Sequence, residues 1–241
     1  MIRFLSFISL ILNIIAFVLL LLVSLSGLVI TGIYILILPY ITISATGLDI
    51  PRFLRMGVLG FCQTVDQIYA DYLEIPGTTA CYGPHRGYTI PLDVVTSNGL
   101  PLVVSTMLDP QLVSVMILHP ISAALALVCS VLSFTNRSRP IMGIALSYTI
   151  CNGILATVAF GIDLAVVDIA KSRINQYLDS FEVPYPAPSS PYSGSGPWLT
   201  LAAAICIWAA VVVQVIKMWK YGGNRKSTEV AGLSSFHSDY K

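Results

Sequence analysis

The chain predicts an all-α membrane protein: a bundle of four transmembrane helices carrying a small disulfide-stapled β element on its extracellular side. Three observations carry that fold class. Four apolar stretches, roughly Leu5–Leu38, Val113–Phe134, Ile141–Ile162 and Trp198–Trp219, are each long enough to cover a hydrocarbon core about 30 Å thick, which takes about 20 helical residues. The chain is 56% hydrophobic and 10% charged, with a mean hydropathy of +0.80, whereas a soluble domain carries about 25% charged residues. Finally, the one long polar loop holds two cysteines, Cys62 and Cys81, while Cys129, Cys151 and Cys206 fall inside apolar stretches.

The first stretch is longer than one crossing. Residues 8–30 are expected to span, with Thr31–Leu38 continuing the helix outward. Apolarity runs on to Pro39, too far for the 7–15-residue core of a signal peptide, so no cleaved leader is expected. The other spans are placed at about 113–134, 141–162 and 198–219. Arg3 precedes the first span, Arg137 and Arg139 fill the turn between the second and third, and Lys217, Lys220, Arg225 and Lys226 follow the fourth. Basic flanks stay cytosolic, so both termini are expected inside and the loops 40–112 and 163–197 outside.

In the outer loop Cys62 and Cys81 have only each other to pair with in an oxidising compartment, and closing that loop is worth about 3 kcal/mol. Strand formers at Tyr88–Thr96, the Asn98-Gly99 turn and Leu100–Thr106 predict a hairpin, with Pro101 pushing its second strand to an edge. Beyond the third span Leu164, Val167, Ala170, Ile174 and Leu178 recur at helical spacing. That helix is expected to project above the membrane with its apolar stripe against the β element. The run from Pro184 to Pro197, with Ser193-Gly194-Ser195-Gly196, reads as an extended linker. Trp198 and Trp219 sit at the two ends of the fourth span, where aromatic rings favour the interface. Residues 223–241 read as a short cytosolic tail after a stop-transfer flank, and the Asn136-Arg137-Ser138 sequon falls on the cytosolic side.

Chemistry has few places to reside. A formal charge of +1 without a basic stripe argues against nucleic acid. His85, His119 and His237 are scattered and form no metal spacing. No GxSxG, P-loop or paired intramembrane aspartates appear, so no catalytic, cofactor or metal residue is assigned and no enzyme is expected. His119, beside Pro120 at the start of the second span, reads as a helix-start histidine, and an intramembrane ionisable group is also a functional candidate. His85 and His119 are the two outward histidines that titration near neutrality would make pH-sensitive. Asp163 and Asp168, at the outer margin of span three, are the best support for a transporter or channel subunit. Asn13 and Asn152 read as interhelical hydrogen-bonding amides. Small residues (Gly143, Ala145, Ser147, Gly153 and Ala156 on span three, and Ala202, Ala203, Ala204, Ala209 and Ala210 on span four) allow close helix approach, within the bundle or with partners.

Gly57-Val58-Leu59-Gly60-Phe61-Cys62, then Cys81 and Gly87-Tyr88, and Leu118-His119-Pro120-Ile121 at the start of span two carry a resemblance. With the order of one span, a cysteine loop, two close spans, a shorter loop and a fourth span, the chain resembles the fungal PalI family and its eisosome-associated relatives over about residues 1–222. It is also similar, more distantly, to claudin-type proteins in architecture and cysteine pair, but lacks the tryptophan they carry before the first cysteine. The resemblance implies a multi-pass plasma-membrane protein that supports ambient-pH signalling by assisting a membrane sensor, or that organises cortical domains (eisosomes) and cell-wall integrity. Expected partners are the lipid bilayer, such membrane proteins and further copies of the chain.

Overall fold

A computed structural model of the chain describes residues 2–27, 29–30, 32–43, 49–65, 68–70, 73–75, 79–83, 90, 114–135, 139–180 and 191–238. Among the described residues four helices form the bundle: α1 (Ile2–Ser24), α2 (Leu118–Thr135), α3 (Arg139–Ser180) and α4 (Gly196–Ser238). Three of them are long and apolar enough to cross a membrane, over Phe4–Ser24, Pro140–Gln176 and Gly196–Lys220. The apolar part of α2, Leu118–Ser133, is shorter. At 1.5 Å per residue the 18 residues of α2 rise about 27 Å, close to one hydrocarbon thickness.

Between α1 and α2 lies an antiparallel sheet of β1 (Leu36–Ile43), β2 (Asp49–Met56), β3 (Phe61–Val65) and β6 (Thr79–Tyr82), with a small hairpin of β4 (Ile68–Ala70) and β5 (Leu73–Ile75). A two-residue strand, β7 (Tyr192–Ser193), adds to the free edge of β1, giving the order β6-β3-β2-β1-β7. Cys62 and Cys81 face each other in the β3–β6 register and form the expected disulfide. Four helices with this disulfide-bearing sheet after the first make the architecture claudin-like. The hairpin expected at 88–106 lies outside the described residues.

Two expectations about the ends of spans are overturned. Helix α1 stops at Ser24 and does not continue through Thr31–Leu38. Gly27 turns the chain with φ +85°, a conformation that L side chains rarely adopt, and the β-branched and aromatic run that follows pairs as β1. The stretch before α4 is no free linker: Tyr192 and Ser193 pair with Ile37 and Leu36, and the Gly194 and Gly196 N–H groups donate to the Ile35 and Tyr34 carbonyls at 2.9 and 2.8 Å. A Cβ on Gly194 would sit 2.0 Å from the Tyr34 oxygen, so the glycine run is what lets the strand lie this close. Helix α4 runs through Lys220 to Ser238, because a helix already nucleated by its span adds one hydrogen bond per further residue fixed.

The projecting third helix is present. Residues Thr149, Asn152, Ala156, Ala159, Asp163, Val167, Ala170 and Ile174 recur every three or four positions and are all buried, so they form one continuous inner face of α3. Up to Ala159 the face is polar or small and looks into the bundle. From Val166 outward it joins one apolar core with Leu36, Leu38, Leu54, Met56 and Phe61 of the sheet, Ile90, and Met116 ahead of α2. Leu164, by contrast, is exposed. Asp163 stands where the face changes from the bundle to the sheet, which lies over one end of the helices as a lid.

Candidate functional site

The changeover point gathers the ionisable groups. His119 is the second residue of α2, and Pro120 occupies the first turn, where its missing N–H has no helical partner to lose. His119 is fully buried, as are Asp163 and Thr200, the latter one turn into α4. Its Nδ1 lies 3.0 Å from the Met116 carbonyl oxygen and its Nε2 lies 3.2 Å from Asp163 Oδ2. The Thr200 hydroxyl donates to the same Asp163 oxygen at 2.9 Å and sits 3.4 Å from His119 Nε2. Asp163 Oδ1 is buried without a protein partner among the described residues.

Thr, His and Asp together invite comparison with a nucleophilic triad, and the geometry rejects it. A triad base takes the nucleophile's proton at one ring nitrogen and is held by the carboxylate at the other. Here the hydroxyl and the carboxylate both crowd Nε2, and Nδ1 faces a main-chain carbonyl. The cluster ties α2, α3 and α4 together. Among the described residues no group of three or more His, Cys, Asp or Glu could hold a metal ion.

The cluster also reaches the lid. Thr200 Oγ1 lies 3.2 Å from the Gly196 carbonyl oxygen, and the Gly196 N–H donates to the carbonyl of Tyr34, two residues ahead of β1. On the other side Met116, which holds the imidazole, is itself part of the apolar core under the sheet. A short chain of contacts therefore links lid, α2, α3 and α4 through one histidine and one aspartate.

A second polar cluster lies in the other half of the bundle. The Gln214 side-chain amide of α4 donates to Ser9 Oγ of α1 at 3.1 Å and Thr149 Oγ1 of α3 at 3.0 Å, with Ser133 Oγ of α2 at 3.5 Å. One side chain from every helix meets there. Between the clusters the Ser122 hydroxyl donates to Asn152 Oδ1 at 2.7 Å. Among the described residues Asn13 bonds its own helix, donating to the Ser9 carbonyl, and not another span. Lys217, one turn beyond Gln214, is buried although it reads in the sequence as a basic flank.

The glycine motif explains how the lid is fastened to α1. A Cβ on Gly57 would come within 2.5 Å of the Ser26 carbonyl oxygen, and one on Gly60 within 2.3 Å of the Tyr82 oxygen. Gly27 in turn would meet Gly60 at 2.7 Å. The Gly57 N–H closes the turn on the Gly60 carbonyl at 2.9 Å, the Val58 N–H donates to Ser26 Oγ at 3.2 Å, and the Cys62 sulfur lies 2.8 Å from the Gly27 carbonyl oxygen. The turn between β2 and β3 is thus pressed backbone against backbone on the end of α1.

The sequence profile of the SUR7/PalI family matches residues 5–218. The chain belongs to the SUR7/PalI family. No curated protein matches it in sequence. Of the motif residues expected from the resemblance, Gly57, Gly60 and Cys62 meet at the lid turn, and His119 and Pro120 stand at the helix junction. Gly87, Tyr88 and His85 lie outside the described residues. Sequence reasoning missed Thr200 and Gln214, and it missed that Gly27 packs against the lid turn. It placed Asp163 with Asp168 as an outer acidic pair, but they lie on different faces: Asp163 is buried against His119 and Asp168 is exposed. Helical phase was the available signal, since Asp163 continues the Thr149–Asn152–Ala156 series and Asp168 does not.

Proposed function

We propose that this SUR7/PalI protein acts without catalysis at the plasma membrane, where it supports ambient-pH signalling by assisting a membrane sensor complex. The observation that supports this reading most is the buried His119–Asp163 pair beneath the lid, since histidine changes charge near neutrality. In this reading both termini are cytosolic and the sheet faces the external medium. The partners are the bilayer and other membrane proteins. Surface for a partner helix remains: Gly143 and Gly161 on α3 have open space where a Cβ would stand. Most other small residues expected to serve partners, including Ala145, Ala156, Ala203 and Ala210, are buried and close the bundle itself. The test is complementation: cells lacking the protein regain their alkaline response with the wild-type chain and not with His119→Gln at equal surface level. A full response with that variant would refute the histidine's part in it.

A second reading, organiser of cortical domains or eisosomes and of cell-wall integrity, draws on the same open face of α3 and on membership of the SUR7/PalI family. A patchy cortical distribution with proximity labelling of eisosome proteins, and none of sensor components, would favour it. For a transporter or channel subunit, Asp163 is a poor mouth, because its Oδ2 is already held by His119 and Thr200.

A further inference from the structure

The geometry points to a one-proton binding site: His119 and Asp163 together hold one proton more than a neutral imidazole and a carboxylate, and that proton fastens the lid to the spans. The argument follows the donors and acceptors. The Met116 carbonyl only accepts, so at 3.0 Å Nδ1 carries the hydrogen. A neutral imidazole has one N–H, which leaves Nε2 as an acceptor facing a carboxylate oxygen 3.2 Å away. Two acceptors at that distance repel unless a proton lies between them. It sits on Nε2, giving an imidazolium and a carboxylate, or on Oδ2, giving a neutral pair. Both states contain the same number of protons, and both leave the pair with no net charge.

Both side chains are fully buried, and an unpaired charge there costs more than in water. Among the described residues the groups that face the ring are Asp163 from α3, Thr200 from α4 and the Met116 carbonyl ahead of α2. None of those besides Asp163 is titratable, so loss of the proton leaves an uncompensated negative charge between the helices and an acceptor against an acceptor. The chain of contacts from Tyr34 through Gly196, Thr200 and Asp163 to His119 and Met116 then opens at its centre.

This inference goes beyond sensor support and stands or falls without it. It is tested on the full chain in phosphatidylcholine nanodiscs. Leu118-His119 is the one Leu-His step in the sequence, so 13C-carbonyl leucine with 13C,15N-histidine assigns His119 without any substitution. At neutral pH the 15N shifts should show Nδ1 protonated and Nε2 engaged with a proton; a bare Nδ1 with hydrogen on Nε2 alone overturns the site. The second measurement is reversible unfolding as a function of pH. A folded state that binds one more proton than the unfolded chain loses stability as pH rises, by up to tenfold in the folding constant per pH unit. Asp163→Asn can donate an amide hydrogen to Nε2 without the shared proton, so this variant should fold and lose that part of the slope. A wild-type chain with no slope from about pH 6 to about pH 9, or an Asp163→Asn chain with the wild-type slope, overturns the proposal. An unchanged alkaline response in cells would refute only the signalling reading.

Discussion

Gly60 shows how much a single hydrogen atom in place of a methyl decides here. Its missing side chain leaves room for the Tyr82 carbonyl, and the missing side chain of Gly57 leaves room for the Ser26 carbonyl. In both cases the obstacle is main chain, fixed by the β3–β6 ladder on one side and the end of α1 on the other. Neither can yield as a flexible side chain would. Gly60→Ala and Gly57→Ala should each cost about 3 kcal/mol or more, while Leu59→Ala between them, at a half-buried position, should cost about 1 kcal/mol. Thermal unfolding of the purified chain in mild detergent checks the contrast. Equal losses at 59 and 60 would mean that the lid turn does not press on α1. The spacing of the motif was legible in the sequence, and its purpose was not, because the partner glycine lies at 27 and carries no local signal beyond being a glycine after an apolar run. His119 is the parallel case. Its position at a helix start was legible, but burial against Asp163 required knowing which turn of α3 sits beside it.

The elements divide by how much their neighbours decide. The outer half of α3 was legible because Val167, Ala170 and Ile174 keep helical period past the membrane, and a stripe of that kind needs something to cover it. Residues 31–38 were misread as helix because an unbroken apolar run fits a buried strand or a buried helix equally well, and only the pairing of β1 with β2 from Leu36 onward settles it. Pairing likewise decides β7, which consists of two residues and has no periodicity of its own. A charge placed in the α3 stripe should therefore release the lid and spare the spans. Ile174→Asp puts an unpaired carboxylate into the core shared with Leu36, Leu54 and Phe61 and should cost about 3 kcal/mol locally. Amide exchange should rise in β1, β2 and β3 and stay at the wild-type level in the membrane part of α1; a uniform rise would show that lid and spans unfold as one unit. Removing the disulfide with Cys62→Ser and Cys81→Ser together should cost about 3 kcal/mol, felt first at β6, the exposed edge strand.

At the scale of the whole molecule the order of helices and the Cys62–Cys81 disulfide followed from composition and cysteine count, but the bundle's interior did not. Lipid outside is as apolar as leucine inside, so apolar burial alone cannot choose one packing of four helices. The inner faces answer that with small and polar residues: Ala156, Ala203 and Ala210 bring backbones close, and His119, Ser122, Asn152, Thr149 and Gln214 form bonds across spans. No sequence window shows this, because Ser9 and Gln214, 3.1 Å apart, are separated by 205 residues. If these bonds specify the packing, their energies are coupled and not independent. Gln214→Leu should cost only about 1–2 kcal/mol, since Thr149 can still donate to the Ala145 carbonyl 2.8 Å away. Thr149→Ala should cost less. The informative quantity is the double substitution, where a coupling of about 0.6 kcal/mol or more between the two sites is expected. Steric-trapping or detergent unfolding of the four chains of the cycle measures it. Strict additivity would mean that Gln214 only sits near Thr149, and that the packing of the spans is set by the alanines alone.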